Sequence, residues 1–396
     1  MPAPNAEGGR ASTRRPGMRH PCPVSWFLDD LAAKAAERER LGLTRRLVAR
    51  EADDLLDLAG NDYLGLINHP DIISGAATAA RTYGNGAGAS RLVTGTLPIH
   101  DQLESALAGL LETDSALAFS TGYQANLGAV TAFSDADTLI VSDAHNHASL
   151  IDAARLSRAQ VAVARHNDTA DVERILGART QHKAMIIVES IYSVLGDAAP
   201  LAELDEIARR HDAILLVDEA HGLGVAGDHG QGLSASLGLS RADHVITTVT
   251  LSKSLAAQGG AVLGHPAVRE QLVNTARSFI YDTGLAPAAA GAALAAIAAI
   301  NHDPGLASRV RANAAILAES CGLQPPAGAV LSVPMPGPRE ALAAVAVCAQ
   351  HGIRIGCFRP PSTPDGISRL RITAHAHHTA DEIARAAKVL SEITGR

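Results

Sequence analysis

A series of short apolar runs most constrains the fold: Ala116 to Phe119, Thr138 to Val141, Ala184 to Val188, Ala213 to Val217 and His244 to Val249. Each is followed by a polar turn and then by a stretch with helical spacing. A strand that reads apolar throughout must be covered on both faces, and strands separated by helices pair in parallel. The pattern predicts an α/β fold, a mostly parallel central sheet with helices on both faces. From Ser25 to Leu43, Trp26, Leu28, Leu31, Ala32 and Ala35 recur at helical spacing, and the pattern stops near Gly42. After Asp303-Pro304-Gly305 come an Ala-rich helix, a Pro/Gly segment (Pro325 to Pro338), another helix and strand-like runs at Ile353 to Phe358 and Ser368 to Thr373. The expected organisation is a disordered tail over 1–24, an N-terminal helical segment over 25–56, a large domain over 57–286 and a small α+β domain over 287–396.

In open parallel sheets, ligands bind beyond the carboxyl ends of the strands, so the residues after each run are the candidates for chemistry. Ser120-Thr121-Gly122-Tyr123 opens a helix with a small, glycine-containing turn, whose free N–H groups suit a phosphate. His147, Ser193, Asp218 with His221, and Thr250 with Lys253 follow the other runs. The chain has four lysines, Lys34, Lys183, Lys253 and Lys388, and only Lys253 follows a strand among small residues and hydroxyls. A lysine in partial burial near other cations loses its proton more readily and can hold a carbonyl as a Schiff base. Asp218 ends a buried run, where its carboxylate could keep a pyridine nitrogen protonated and the ring an electron sink. His147 and His221 are candidates to stack on such a ring and to hydrogen-bond its phenolic oxygen. The alternatives are an exposed lysine opening a helix, an aspartate that caps a turn, and histidines with satisfied structural roles.

Composition removes other classes. A net charge of −7 and 3% aromatic residues argue against a general polyanion binder or a base-stacking platform. Cys22, Cys321, Cys348 and Cys357 form no C-x-x-C pair, which favours reduced thiols in the cytoplasm. Residues 1 to 23 lack an apolar signal core, Met18 is a second candidate start, and the Ala-rich stretch Ala286 to Ile300 is too short to span a bilayer. Asp218-Glu219-Ala220-His221 spells a helicase box, but no phosphate loop of the G-x-x-x-x-G-K-[ST] type accompanies it. Gly84-Asn85-Gly86-Ala87-Gly88-Ala89 fits a dinucleotide fingerprint, yet a helix-like segment precedes it where a strand is required. His375, His377 and His378 lack carboxylate or thiolate companions at ligand spacing, so no metal is expected.

With these residues assembled, the chain resembles the α-oxoamine synthase family of fold-type I pyridoxal 5'-phosphate (PLP) enzymes. The likeness runs from about Leu58 to the C-terminus. It passes through Asn61-Asp62-Tyr63-Leu64-Gly65-Leu66, Gly88 to Gly95, His147-Ala148-Ser149-Leu150, Asp218 to Val225 and Thr250-Leu251-Ser252-Lys253. Arg359-Pro360-Pro361 and Ser368 to Thr373 are more similar to the branch that uses L-alanine in biotin biosynthesis than to glycine acetyltransferase or 5-aminolevulinate synthase. The resemblance implies decarboxylative condensation of L-alanine with pimeloyl-CoA or a pimeloyl acyl-carrier protein (ACP), in a cytoplasmic homodimer with shared active sites. A protein that binds PLP without turnover is the alternative of another class. By the same resemblance Lys253 is the Schiff-base lysine and acid/base, Asp218 meets the pyridine nitrogen, His147 stacks on the ring and His221 sits near the phenolic oxygen. Gly122 and Tyr123 offer N–H groups to the phosphate, Thr250 a hydroxyl and Ser193 a further cofactor contact. Arg371 holds the amino-acid carboxylate, Asn61 and Thr283 lie at or across a dimer interface, and either Thr44 or Arg45 aligns with an acyl-binding arginine.

Overall fold

The computed structural model describes residues 25–45, 47, 49 and 55–395, and the tail expected over 1–24 lies outside them. The chain divides into an N-terminal unit ending at Glu51 and a main unit from Ala52 onward. In the first, Ser25–Arg40 forms the expected helix, with Trp26, Leu28 and Leu31 exposed.

The main unit is built on a seven-stranded sheet. Its strands are β2 (Ser115–Phe119), β3 (Thr138–Asp143), β4 (Gln160–Ala164), β5 (Lys183–Glu189), β6 (Ala213–Asp218), β7 (Val245–Thr250) and β8 (Gly260–Gly264). They lie in the order β2-β8-β7-β6-β5-β3-β4, and β8 alone runs antiparallel to its neighbours. A second sheet combines β1 (Leu56–Leu58), β9 (Val330–Pro334), β10 (Ile353–Phe358) and β11 (Arg369–Thr373) in the order β1-β10-β11-β9.

Alternation along each strand divides the large sheet's side chains between two cores. Met185 and Ile187 of β5, Leu216 of β6 and Ile246 of β7 pack with Ala125, Ala129 and Leu150 from the helices Gly122–Phe133 and Ala148–Leu156. Their odd-and-even neighbours Ile186, Val188, Leu215 and Val217 face the opposite side, against Leu204 and Ile207 of the helix Leu201–Arg210. Both faces are covered, which is why the runs read as continuously apolar.

The helix Pro287–His302, expected in the small domain, packs instead in one core with the helices Pro70–Tyr83 and Pro98–Leu110. Small residues make the close approach possible. A Cβ on Gly291 would fall 2.5 Å from the carbonyl oxygen of Gly75, and one on Gly75 would fall 2.8 Å from that of Gly291. Leu56 to Leu58, at the other expected boundary, forms the edge strand that joins the second sheet through β10. The Pro/Gly segment Pro325 to Pro338 contains β9, and β4 and β8 were not legible as strands. β4 is an edge strand with exposed alternate residues, and β8 is bounded by glycines that hide its apolar run of three. No helix among the described residues is long and apolar enough to cross a membrane, and Cys321, Cys348 and Cys357 are free.

Candidate active site

The parity that fills the core also builds the site. Glu189, Asp218 and Thr250 end β5, β6 and β7 and continue the series of Ile187, Leu216 and Ile246, so they project toward the helix Gly122–Phe133. Glu189 pairs with Asp218 across the ladder, and Asp218 with Thr248. One turn into the helix, Asn126 donates its Nδ2 to Asp218 Oδ2 at 2.8 Å and accepts from Thr248 Oγ1 at 2.6 Å. The Ala220 N–H donates to Asp218 Oδ1 at 2.9 Å. Both carboxylate oxygens are therefore held, and the group is 5% exposed at the floor of a cavity.

The opposite end of this cavity is the start of the helix. Thr121 caps it, its hydroxyl accepting from the Gln124 N–H at 3.1 Å, so the N–H groups of Gly122 and Tyr123 precede the helix's own hydrogen-bond ladder. A Cβ on Gly122 would come 2.9 Å from Cβ of Thr250, so glycine keeps this turn open. The Thr250 and Ser252 hydroxyls lie 2.7 Å apart beside it. The cavity walls between these ends carry His147, Ser149, His221 and Lys253.

Lys253 Nζ lies 2.8 Å from His221 Nε2, and His221 Nδ1 lies 2.7 Å from the hydroxyl of Tyr63. Complete burial, and then the cations Lys253 and Arg371, push His221 well below its ordinary range, so the ring is neutral. With Nδ1 protonated toward Tyr63, its Nε2 is free to accept from Lys253. Burial outweighs the attraction of Asp218 and Glu189 and brings the Lys253 amine down to about 8. Glu189 moves the other way: burial and then repulsion by Asp218 push it up to about 8.

A second cavity, of about 590 Å³, shares His147, His221 and Lys253 with the first and reaches Arg371 in β11. Arg371 is 4% exposed and lies over the ring of Phe358, 5.2 Å from its centroid. Its Nε donates to the Ser193 carbonyl at 2.8 Å, Nη1 to Asn61 Oδ1 at 3.1 Å and Nη2 to the Tyr63 hydroxyl at 3.4 Å. Such a fork, fixed by its neighbours and opening on a cavity, suits a carboxylate.

Most residues singled out from the sequence thus converge. Gly122, Tyr123, His147, Asp218, His221, Thr250 and Lys253 line the first cavity, and Asn61, Ser193 and Arg371 the second. Thr283 does not line either within one chain; its carbonyl accepts from Ser120 Oγ at 3.0 Å in a separate recess. Arg45 is exposed in the N-terminal unit. Four participants were passed over: Asn126, Ser149, Glu189 and Tyr63. Glu189 carries the same signal as Asp218, an acidic residue ending a buried run, and Asn126 lies one helical turn beyond Gly122.

Residues 53–390 match the family model described as aminotransferase class I and II. The chain belongs to that family. An 8-amino-7-oxononanoate synthase from Mycolicibacterium gilvum is 52% identical over 376 residues, 94% of this chain and 98% of the relative. The synthase of the same name from Mycolicibacterium smegmatis is 52% identical over 94% of this chain and 97% of its own length. Among solved structures, a Sphingomonas wittichii serine palmitoyltransferase aligns with TM-score 0.86 at 27% identity, covering 94% of this chain and 99% of that one. An 8-amino-7-oxononanoate synthase from Francisella tularensis aligns with TM-score 0.74 at 26% identity over 86% and 98%. A serine palmitoyltransferase from S. paucimobilis, with TM-score 0.86, was solved with bound PLP.

The first cavity fits PLP on its own chemistry. Its N–H-rich helix start can take a dianionic phosphate, its held carboxylate can face a pyridinium nitrogen, and its lysine of lowered basicity can face an aldehyde. Glu189 Oε1, a buried acceptor with no partner in the protein, lies on the same wall.

Proposed function

We propose that this enzyme condenses L-alanine with a pimeloyl thioester, carried on CoA or ACP, releasing CO₂ and the free thiol and giving 8-amino-7-oxononanoate for biotin biosynthesis in the cytoplasm. The observation that carries this reading is the 52% identity to 8-amino-7-oxononanoate synthases over 94% of the chain. A buried Arg371 aimed at the lysine pocket supports turnover over mere cofactor binding, because a carrier has no need to clamp a second carboxylate.

PLP, bound through Lys253, supplies an electron sink for a carbanion at the substrate Cα. Asp218, oriented by Asn126 and the Ala220 N–H, would keep the pyridine nitrogen protonated. Gly122 and Tyr123 would hold the phosphate by backbone N–H groups and Thr250 by its hydroxyl, and His147 would stack on the ring. The fork of Arg371 grips the alanine carboxylate, and Ser193, Asn61 and Tyr63 fix that fork. Gripping the carboxylate orients the substrate so that the Cα–H bond points to Lys253 Nζ. Lys253, freed when the alanine amino group takes its place on the cofactor, would take the Cα proton there and, once the acyl carbon has bonded to Cα and CO₂ has left, return a proton to that carbon. His221 steadies Nζ between these transfers without carrying charge itself. The 590 Å³ cavity has room for the acyl chain beside the amino acid. Two copies complete each site as a homodimer, with Thr283 reaching the partner's cofactor and either Thr44 or Arg45 serving the acyl group.

The test is a panel of alanine, glycine and serine crossed with pimeloyl-, acetyl-, succinyl- and palmitoyl-CoA, read by thiol release. Alanine with pimeloyl-CoA should be fastest. Fastest turnover with glycine or serine would overturn the substrate assignment.

A further inference from the structure

We propose that His375, His377 and His378 form a binding site for one borderline divalent cation of the zinc, cobalt or nickel type, at the turn between β11 and the C-terminal helix Ala380–Thr394. Their spacing alone argues against a chelate, and no thiolate or carboxylate is interleaved with them. The turn defeats that expectation: one ligand atom from each histidine lies within 4.8 Å of the other two. The rings of His375 and His378 stack at 4.9 Å, and that of His377 lies 4.4 Å from His378.

Ordinary packing does not account for the cluster. His375 and His378 are 2% and 8% exposed, and Nδ1 of each has no hydrogen-bond partner. Buried polar atoms are nearly always paired, so two neighbouring orphans that are both lone-pair or proton carriers point to a missing ligand. Three nitrogen donors and a water suit zinc and its neighbours, whereas calcium and magnesium require oxygen ligands. The carboxylates that act on these rings, Asp57, Asp62 and Glu382, offset the cation's charge from outside the ligand set.

With Zn–N bonds of about 2.0–2.1 Å, tetrahedral nitrogens stand roughly 3.3 Å apart. The nitrogens therefore close by up to about 1.5 Å, and the stacked rings of His375 and His378 turn so that both lone pairs meet one ion. His377 is the exposed member of the three. It packs against Gly65, where any Cβ would fall 2.1 Å from its Nδ1. The same turn is tied to the active site: the Ala376 N–H donates to the Tyr63 carbonyl at 2.8 Å, and the His375 ring meets that of Tyr63 edge-on at 6.5 Å. A cation here clamps the segment that carries Asn61 and Tyr63 and takes no part in the chemistry.

The experiment uses the full-length holoenzyme, stripped with EDTA, dialysed and titrated with Co²⁺ and Zn²⁺. One saturable equivalent should bind, and the Co²⁺ form should show the visible d–d bands of a four-coordinate site. His377→Ala, a change at an exposed residue, should weaken binding by roughly tenfold or more. His378→Gln should abolish the cobalt bands, and His229→Ala, elsewhere on the surface, should change neither. Absence of a saturable equivalent in the unaltered protein, or an unchanged affinity in His377→Ala, would overturn the site. Should His378→Gln fail to fold, the affinity of His377→Ala decides. None of these residues lines the Lys253 cavity, so the outcome is independent of the proposed reaction.

Discussion

Raising the pH over a cofactor-free sample titrates the Lys253 amine, and the structure sets where. Burial lowers it, Asp218 and Glu189 pull it back, and Arg371 lowers it further, for a net position of about 8. At that position about 9% of the amine is neutral at pH 7 and about 90% at pH 9; an ordinary lysine near 10.4 would be about 0.04% and 4% neutral. Reactivity should therefore rise about tenfold from pH 7 to 9 and then level off, against about a hundredfold rise with no plateau for an unshifted amine. Trace acetylation with acetic anhydride, followed by peptide mass spectrometry, reads this directly. Lys183, exposed and held upward by its hydrogen bond to Asp135, is the internal reference. A Lys253 profile that parallels Lys183 would refute the claim that desolvation in this pocket prepares the nucleophile.

Asp218→Asn keeps the shape but turns an amide donor toward either Asn126 or the Ala220 N–H and removes the anion. Loss of one partner of a buried charge pair costs about 3–5 kcal/mol, so kcat/KM should fall roughly 10²- to 10⁴-fold. Arg371→Lys gives up the planar fork. The loss of charge-assisted hydrogen bonds, about 1.5–3 kcal/mol, should raise KM for alanine roughly ten- to a hundredfold, with a smaller effect on kcat. His166 provides a stability test away from the chemistry. Burial opposes its charge, but hydrogen bonds to Asp143 and Asp197 at 2.9 and 2.8 Å raise it to about 9. Because the folded value exceeds the unfolded one near 6.5, its contribution is complete below about pH 6.5 and lost as pH rises through 9. The stability gap between wild type and His166→Gln in urea melts should shrink from pH 6 to pH 10; a gap that stays constant would contradict this.

How far the sequence reveals the protein depends on where a residue's neighbours come from. Strands buried on both faces announce themselves as apolar runs, and Asp218, Thr250 and Lys253 were found because each follows such a run. Glu189 follows one too, but its protonation depends on Asp218 one strand away, a pairing that only the register of β5 against β6 creates. Asn126 and Tyr63 act through hydrogen bonds to residues 92 and 158 positions distant, for which no local pattern exists. The boundary expected at 286/287 puts the helix Pro287–His302 in the small domain, whereas its contact with Pro70–Tyr83 rests on the shape match of Gly75 and Gly291. The histidine turn shows the same limit: spacing argued against a common ligand, and the backbone turn brought the nitrogens together.

Following the carbons tests the proposed reaction most directly. With L-[1-¹³C]alanine and pimeloyl-CoA, the holoenzyme should release labelled CO₂ in one-to-one stoichiometry with a product of the mass of 8-amino-7-oxononanoate that carries no label, and Lys253→Ala should release neither. Label retained in the product, or thiol release without labelled CO₂, would contradict the account.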